Sequence, residues 1–190
     1  MHTQLLHAIQ QKVPLDAHAV ALCQRYFTPV SGSKNTLLEV AGKVAEHLYF
    51  INSGYARLFL VDEGGDALTS YIGGPNTFFT SFLSFVQQQP ASDNAVCATD
   101  CELLRITRAN LWTLIQESET FKQFSLLIFE QAMASTADRA HDLATRSAEQ
   151  RYHKLLAEHP GILQHVAVQD IASYLGIKPE SLSRIRRQLP

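Results

Sequence analysis

Near its C-terminus the chain runs Val168-Gln169-Asp170-Ile171-Ala172-Ser173-Tyr174-Leu175-Gly176-Ile177-Lys178-Pro179-Glu180-Ser181-Leu182-Ser183-Arg184-Ile185-Arg186-Arg187-Gln188-Leu189. Two short helices with one glycine between them satisfy this pattern. Gly176 suits the left-handed conformation that ends a helix. Pro179 suits the first turn of the next helix, where its missing N–H costs nothing. Ala172 is small enough to let the helices cross closely, and Leu175 packs between them. Leu182, Ile185 and Leu189 share one face at helical spacing. Glu180, Ser183, Arg184 and Arg187 fall opposite, with Ser181 at the flank. A Glu accepts a hydrogen bond from a cytosine amino group, and an Arg is bidentate to guanine. Lys178, Ser181 and Arg187 suit phosphates, which position a protein without specifying sequence. The pattern predicts a helix-turn-helix whose second helix, 179–189, docks on double-stranded DNA.

The charge distribution agrees. The 190 residues carry a formal net charge of −2, which by itself argues for no polyanionic partner. Residues 150–190 hold six Lys/Arg and three acids, a net of +3, so the rest of the chain carries −5. A basic end on an acidic body is expected where one end meets phosphates.

Upstream the texture changes. From about Cys23 to Thr107 short apolar runs alternate with turn signals such as Ser31-Gly32-Ser33, Asn52-Ser53-Gly54 and Gly73-Gly74-Pro75-Asn76. A turn roughly every ten residues suits an all-β sandwich or barrel. The clearest hairpin joins Tyr55–Asp62 to Ala67–Ile72 through Gly64-Gly65, which supplies positive φ angles. The segment 78–89 reads as one short helix within the strands. Strands resume over 95–98 and 102–106, and residues 3–13 read as weakly helical.

After Thr107 the pattern is helical. Residues 110–116 predict a short helix. Thr120 and Gln123 fit a capping box, and no Gly or Pro follows until beyond Ser147. Leu126, Phe129, Met133, Thr136, Ala140 and Leu143 form one stripe. A helix of about 27 residues would be about 40 Å long, more than a small β domain needs to cover itself. The surplus predicts pairing with a second copy through helix 119–148. The fold class expected is α+β: a jelly-roll-like β domain over 1–118, a dimerisation helix over 119–148 and a helix-turn-helix unit over 149–190.

The C-terminal pattern resembles the cyclic-AMP receptor protein/FNR family of bacterial regulators, and His47-Leu48-Tyr49-Phe50-Ile51-Asn52-Ser53-Gly54-Tyr55-Ala56-Arg57-Leu58 resembles that family's central hairpin. The resemblance implies a double-stranded β-helix of the cyclic-nucleotide-binding type and a homodimer joined through the long helix. It also implies two recognition helices in successive major grooves of a palindrome, with base-reading positions at Glu180, Ser181 and Arg184. In nucleotide-binding members a Gly-Glu pair precedes the short helix of the phosphate cassette, and an Arg followed by Ser or Thr comes after it. There the Glu holds the ribose hydroxyl and the Arg the cyclic phosphate. Here those places read Asn76-Thr77-Phe78-Phe79 and Ala91-Ser92-Asp93-Asn94. An acid beside a phosphate is repulsive, so cyclic AMP is not expected to bind in the family manner. An altered effector pocket would involve Asn76, Phe78, Phe79, Ser92, Asp93 and Asn94. Phe78, Phe79, Phe82 and Phe85 either meet an apolar effector there or are core.

Other functions find less support. A composition 46% hydrophobic and 18% charged is that of a soluble globular protein. No run of 18 apolar residues suggests a membrane span, and Met1-His2-Thr3-Gln4 starts no signal peptide; the cytoplasm is the expected compartment. Cys97 and Cys101 fall near a turn, where a redox pair could sit, but read as buried structural thiols. His47 is the lone histidine of the β region, and His153, His159 and His165 lie six apart in the helical part, so neither a metal nor another cofactor is expected. No Ser/His/Asp set, phosphate loop or acid pair argues for an enzyme. The rival readings are a ligand-binding or interaction module without useful DNA affinity, and a metal-dependent barrel enzyme.

Overall fold

A computed structural model describes residues 2–188, with side chains through Arg187. Two helices open the chain: α1 (His2–Gln10) and α2 (Ala17–Tyr26). The sequence does not predict α2, although Asp16 caps it by accepting from the Ala19 amide at 2.7 Å. The β region therefore begins later than Cys23, with β1 (Thr28–Gly32), β2 (Leu37–Glu39), β3 (His47–Ser53), β4 (Ala56–Val61) and β5 (Ala67–Gly73). It closes with β6 (Phe78–Phe79), α3 (Phe82–Gln87), β7 (Asn94–Cys97) and β8 (Cys101–Thr107).

The strands form two antiparallel four-stranded sheets, ordered β1-β8-β3-β6 and β2-β7-β4-β5. Tyr49, Ile51, Leu103, Ala56, Leu58 and Phe79 fill the space between them. The outer face of the first sheet is also covered. Leu48, Phe50, Leu104 and Ile106 pack there against Leu5 and Ile9 of α1, Leu22 of α2 and Leu111 and Phe121 further on. Burial on both faces explains the unbroken apolar run Leu48–Ile51 where a half-exposed strand would alternate.

Segment 78–89 is not a single helix. Phe78 and Phe79 pair with Phe50 and Tyr49 as a short strand, and the helix starts only after Ser81. Of the two hairpin glycines only Gly65 takes positive φ (+88°). The Asp62 carboxylate accepts from the Gly64 and Asp66 amides at 2.9 Å each and shapes the rest of that turn.

The helical part comprises α4 (Arg108–Glu117), α5 (Glu119–Thr145), α6 (Ala148–Glu158), α7 (Ile162–His165), α8 (Val168–Tyr174) and α9 (Pro179–Gln188). The cap of α5 is Ser118, whose hydroxyl accepts from the Phe121 amide, and not Thr120. The complete capping box lies at α6, between Ser147 and Gln150. Phe121 and Phe124 bury the start of α5 under the first sheet, whereas Leu126, Met133 and Leu143 of the stripe are exposed.

Candidate DNA interface and effector cassette

The C-terminal pair α8–α9 is built around Gly176. Its φ is +66°, and the Ile177 amide reaches back to the Ala172 carbonyl while the Gly176 amide reaches that of Ser173, each at 3.0 Å. This double bond is the Schellman closure that satisfies the orphan carbonyls of a helix end. Ile171, Ala172, Leu175 and Leu182 are buried between the two helices and α6. The other side of α9 is open: Lys178, Glu180, Ser183, Arg184, Arg186 and Arg187 are exposed, and Ser181 is half-buried. The Arg187 guanidinium donates to the Ser183 carbonyl one turn back, at 3.3 Å. Leu189, the third member of the predicted apolar face, lies outside the described residues.

Sequence reasoning missed how this pair is held. β5 is an edge strand, and its open backbone groups meet side chains from the helices. The Thr69 amide donates to the Ser173 hydroxyl at 2.9 Å, which donates to the Ala67 carbonyl at 3.1 Å. The Thr69 carbonyl accepts from Arg139 of α5 at 3.1 Å. These contacts replace the missing neighbour strand and blunt the edge. Arg57 of β4 adds an ion pair with Asp170 at 3.2 Å, and burial lowers the guanidinium's proton affinity despite that partner. Arg139 also lies over the Tyr174 ring at 4.0 Å. Below them Tyr55, Ile72 and Ala98 share one apolar cluster with Tyr152, Leu155 and Ile162. On the other side, Lys154 bridges Asp138 and Asp142, and Arg151 donates to the Leu175 carbonyl at 3.0 Å. These contacts fasten α6 and α8 to α5.

The candidate cassette residues do not gather in one pocket. Asn76 sits on an exposed turn with φ +64°. Phe78 and Phe79 point to opposite sides of β6, as neighbours on a strand must. Phe78 meets Phe124 edge-on at 5.6 Å, and Phe79 stacks on Tyr71 at 6.1 Å. Phe82 packs edge-on against Phe129 of α5, and Phe85 is core. Ser92 is exposed, and the Asn94 side chain accepts from the Ala41 amide at 3.0 Å.

Two carboxylates instead converge on Ser81, at the start of α3. Asp93 accepts from its hydroxyl at 2.5 Å. Glu39, from β2, accepts from its amide at 3.4 Å and from the His47 amide at 3.3 Å. Burial pushes the Glu39 carboxyl up to about 7; the two amides pull it down, and Asp93 pushes it further up. His47 itself is shifted down by burial and by the charge of Arg105. Nothing in the local sequence pairs Glu39 with Ser81; only the sheet topology does.

Cys23 is buried in the helical core, while Cys97 and Cys101 are buried in the cluster between the sheets. Among the described residues no three of His, Cys, Asp and Glu converge as metal ligands. No described helix is long and apolar enough to cross a membrane.

Residues 30–118 match the family model of the cyclic nucleotide-binding domain. That segment is thus similar to a cyclic nucleotide-binding domain. Solved structures share the fold over most of the chain. FixK2 of Bradyrhizobium japonicum, at 18% identity, superposes with a TM-score of 0.74 over 86% of this chain and 84% of its own. The catabolite activator protein of Thermus thermophilus, at 23% identity, gives 0.59 over 96% and 86%. The c-di-GMP-responsive global regulator CLP of Xanthomonas campestris, at 19% identity, gives 0.66 over 91% and 91%. No curated protein matches the sequence. Within the matched segment, Glu39 and Asp93 meet Ser81 at the start of α3.

Proposed function

We propose that the chain is a dimeric DNA-binding transcription regulator of the Crp/Fnr type. In this reading α8 and α9 are a helix-turn-helix and α9 is the recognition helix. The observation that carries it is the division of α9 into a buried Leu182 side and an open side bearing Lys178, Arg184, Arg186 and Arg187. The three units are the β-roll over 1–118, helix 119–148 and the DNA-binding unit over 149–190. Glu180, Ser181 and Arg184 would read base edges, while Lys178, Ser183 and Arg187 would hold the backbone.

The second copy would cover α5. Leu126 is 59% exposed and Met133 68% exposed, and with Ala140 and Leu143 they run on down the helix at steps of seven, seven and three residues. A self-complementary stripe of this kind is satisfied by the same stripe on a two-fold mate. Two recognition helices then face one side, which suits a palindromic operator.

Cyclic AMP is not its effector in the family manner. Glu39 and Asp93 already meet the start of the cassette helix, and a phosphate brought there would face two acids. An effector of other chemistry would act by binding one arrangement of the paired α5 helices better than another. The test is DNA binding as a function of salt. The regulator reading expects affinity that falls steeply with salt, since each phosphate contact releases counterions. Absence of binding at low salt favours an interaction module instead. Calorimetry with cyclic AMP should show no micromolar binding.

A further inference from the structure

The turn Ala98-Thr99-Asp100 joins β7 to β8, and these strands belong to different sheets. It brings Cys97 and Cys101 together at the sheet-to-sheet corner, where both are buried in one apolar cluster. Two glycines make the room. Gly32 is the register partner of Cys101, and a Cβ on it would lie 2.8 Å from the Cys97 sulfur. A Cβ on Gly54 would lie 2.8 Å from the Cys101 sulfur. Above the pair, Thr99 is half-buried and Asp100 exposed, so the thiols lie one turn beneath the surface.

We propose that Cys97 and Cys101 are a redox-active dithiol that a peroxide converts to an intramolecular disulfide. The two thiols have unequal roles. Cys101 lies against the surface turn, its sulfur 3.4 Å from the Thr99 carbonyl, whereas Cys97 is wholly buried. Cys101 is therefore the nucleophile. Its thiolate attacks one peroxide oxygen, so an S–O bond forms, the O–O bond breaks and the other oxygen leaves as water. Cys97 then attacks the sulfenic sulfur. The S–S bond forms, the S–O bond breaks, and hydroxide leaves with the Cys97 proton as a second water. The two sulfurs lose two electrons and the peroxide gains them.

The pair adjoins the proposed DNA-binding unit. The Tyr55 carbonyl accepts from the Cys101 thiol at 3.1 Å and from the Ala98 and Thr99 amides at 2.8 and 3.2 Å. The Tyr55 ring stacks on His165 at 5.8 Å, and both Tyr55 and Ala98 pack into the cluster of α6, α7 and α8. A disulfide removes the thiol donor and redraws the turn on which that cluster rests.

The test compares reduced protein with protein treated with hydrogen peroxide, alkylated, digested with trypsin and weighed. Fragment 58–105 holds both cysteines, and Cys23 falls in another fragment. The expected result is that fragment 58–105 loses the mass of two hydrogens, escapes alkylation and is restored by dithiothreitol. In Cys97→Ser, Cys101 should stop at a sulfenic acid that dimedone traps. Two alkylated thiols in the treated wild type, or added oxygen without a disulfide, would overturn the proposal. The effect on DNA rests on the regulator reading and is measured separately. Fully oxidised protein should bind a selected operator about tenfold more weakly, a common size for coupling between sites. Equal affinity in both states would overturn the coupling. The mass readout needs no DNA, so failure of the regulator reading leaves it intact.

Discussion

Burial that pushes the Glu39 carboxyl up to about 7 has a direction that can be measured. The folded state holds the proton more tightly than the unfolded chain. Its stabilising contribution is complete below about pH 4.5 and is lost as pH rises through about 7, approaching about 3 kcal/mol in all. Denaturant midpoints compared between wild type and Glu39→Gln isolate this contribution from that of His47, which has the opposite sign. The variant should show a flatter fall between pH 5 and 8, and identical slopes would count against the buried charge. None of this was legible in the sequence. Asp93 was conspicuous as an acid where the family has a cation. Its meeting with Glu39 over Ser81 depends on β2 and β7 lying side by side.

At the scale of elements, legibility followed local chemistry. The α8–α9 turn was readable because Gly176 and Pro179 each solve a local problem, a helix end and a helix start. The same logic failed at Thr120–Gln123, where Ser118 caps instead, and went unused at Ser147–Gln150, where a full box exists. α2 was missed because Ala17–Tyr26 shows little periodicity beyond Ala19, Leu22 and Cys23. Segment 78–89 was misread because Phe78 and Phe79 serve a sheet formed with residues far back in the chain. Two predictions belong here. Gly176→Ala should lower stability by about 1 kcal/mol for the left-handed φ alone. It should lose somewhat more through contact with Leu143, since its Cβ would lie 3.2 Å from a Leu143 methyl; thermal unfolding reads the loss. Met133→Glu places a charge in the exposed stripe of α5 and should yield a folded monomer in sedimentation. A dimer that survives it would show that α5 is not the seam.

The whole molecule couples these parts. Ser173, Asp170 and Tyr174 of α8 engage the β4–β5 hairpin and α5 at once. If the chain is the proposed regulator, a shift in the β-roll or in paired α5 helices would reach α9 through these contacts. The contacts of α8 with the β4–β5 hairpin join residues about a hundred positions apart in the chain, so sequence patterns revealed the parts and not their attachment. In the proposed function α9 reads DNA. The most direct test is selection of bound fragments from a random DNA pool, repeated with Arg184→Ala. Wild type should enrich a palindrome, and the variant should bind it more weakly by about 1–3 kcal/mol and lose specificity at one position of each half-site. Enrichment of no sequence at low salt, or a palindrome bound equally well by Arg184→Ala, would contradict it.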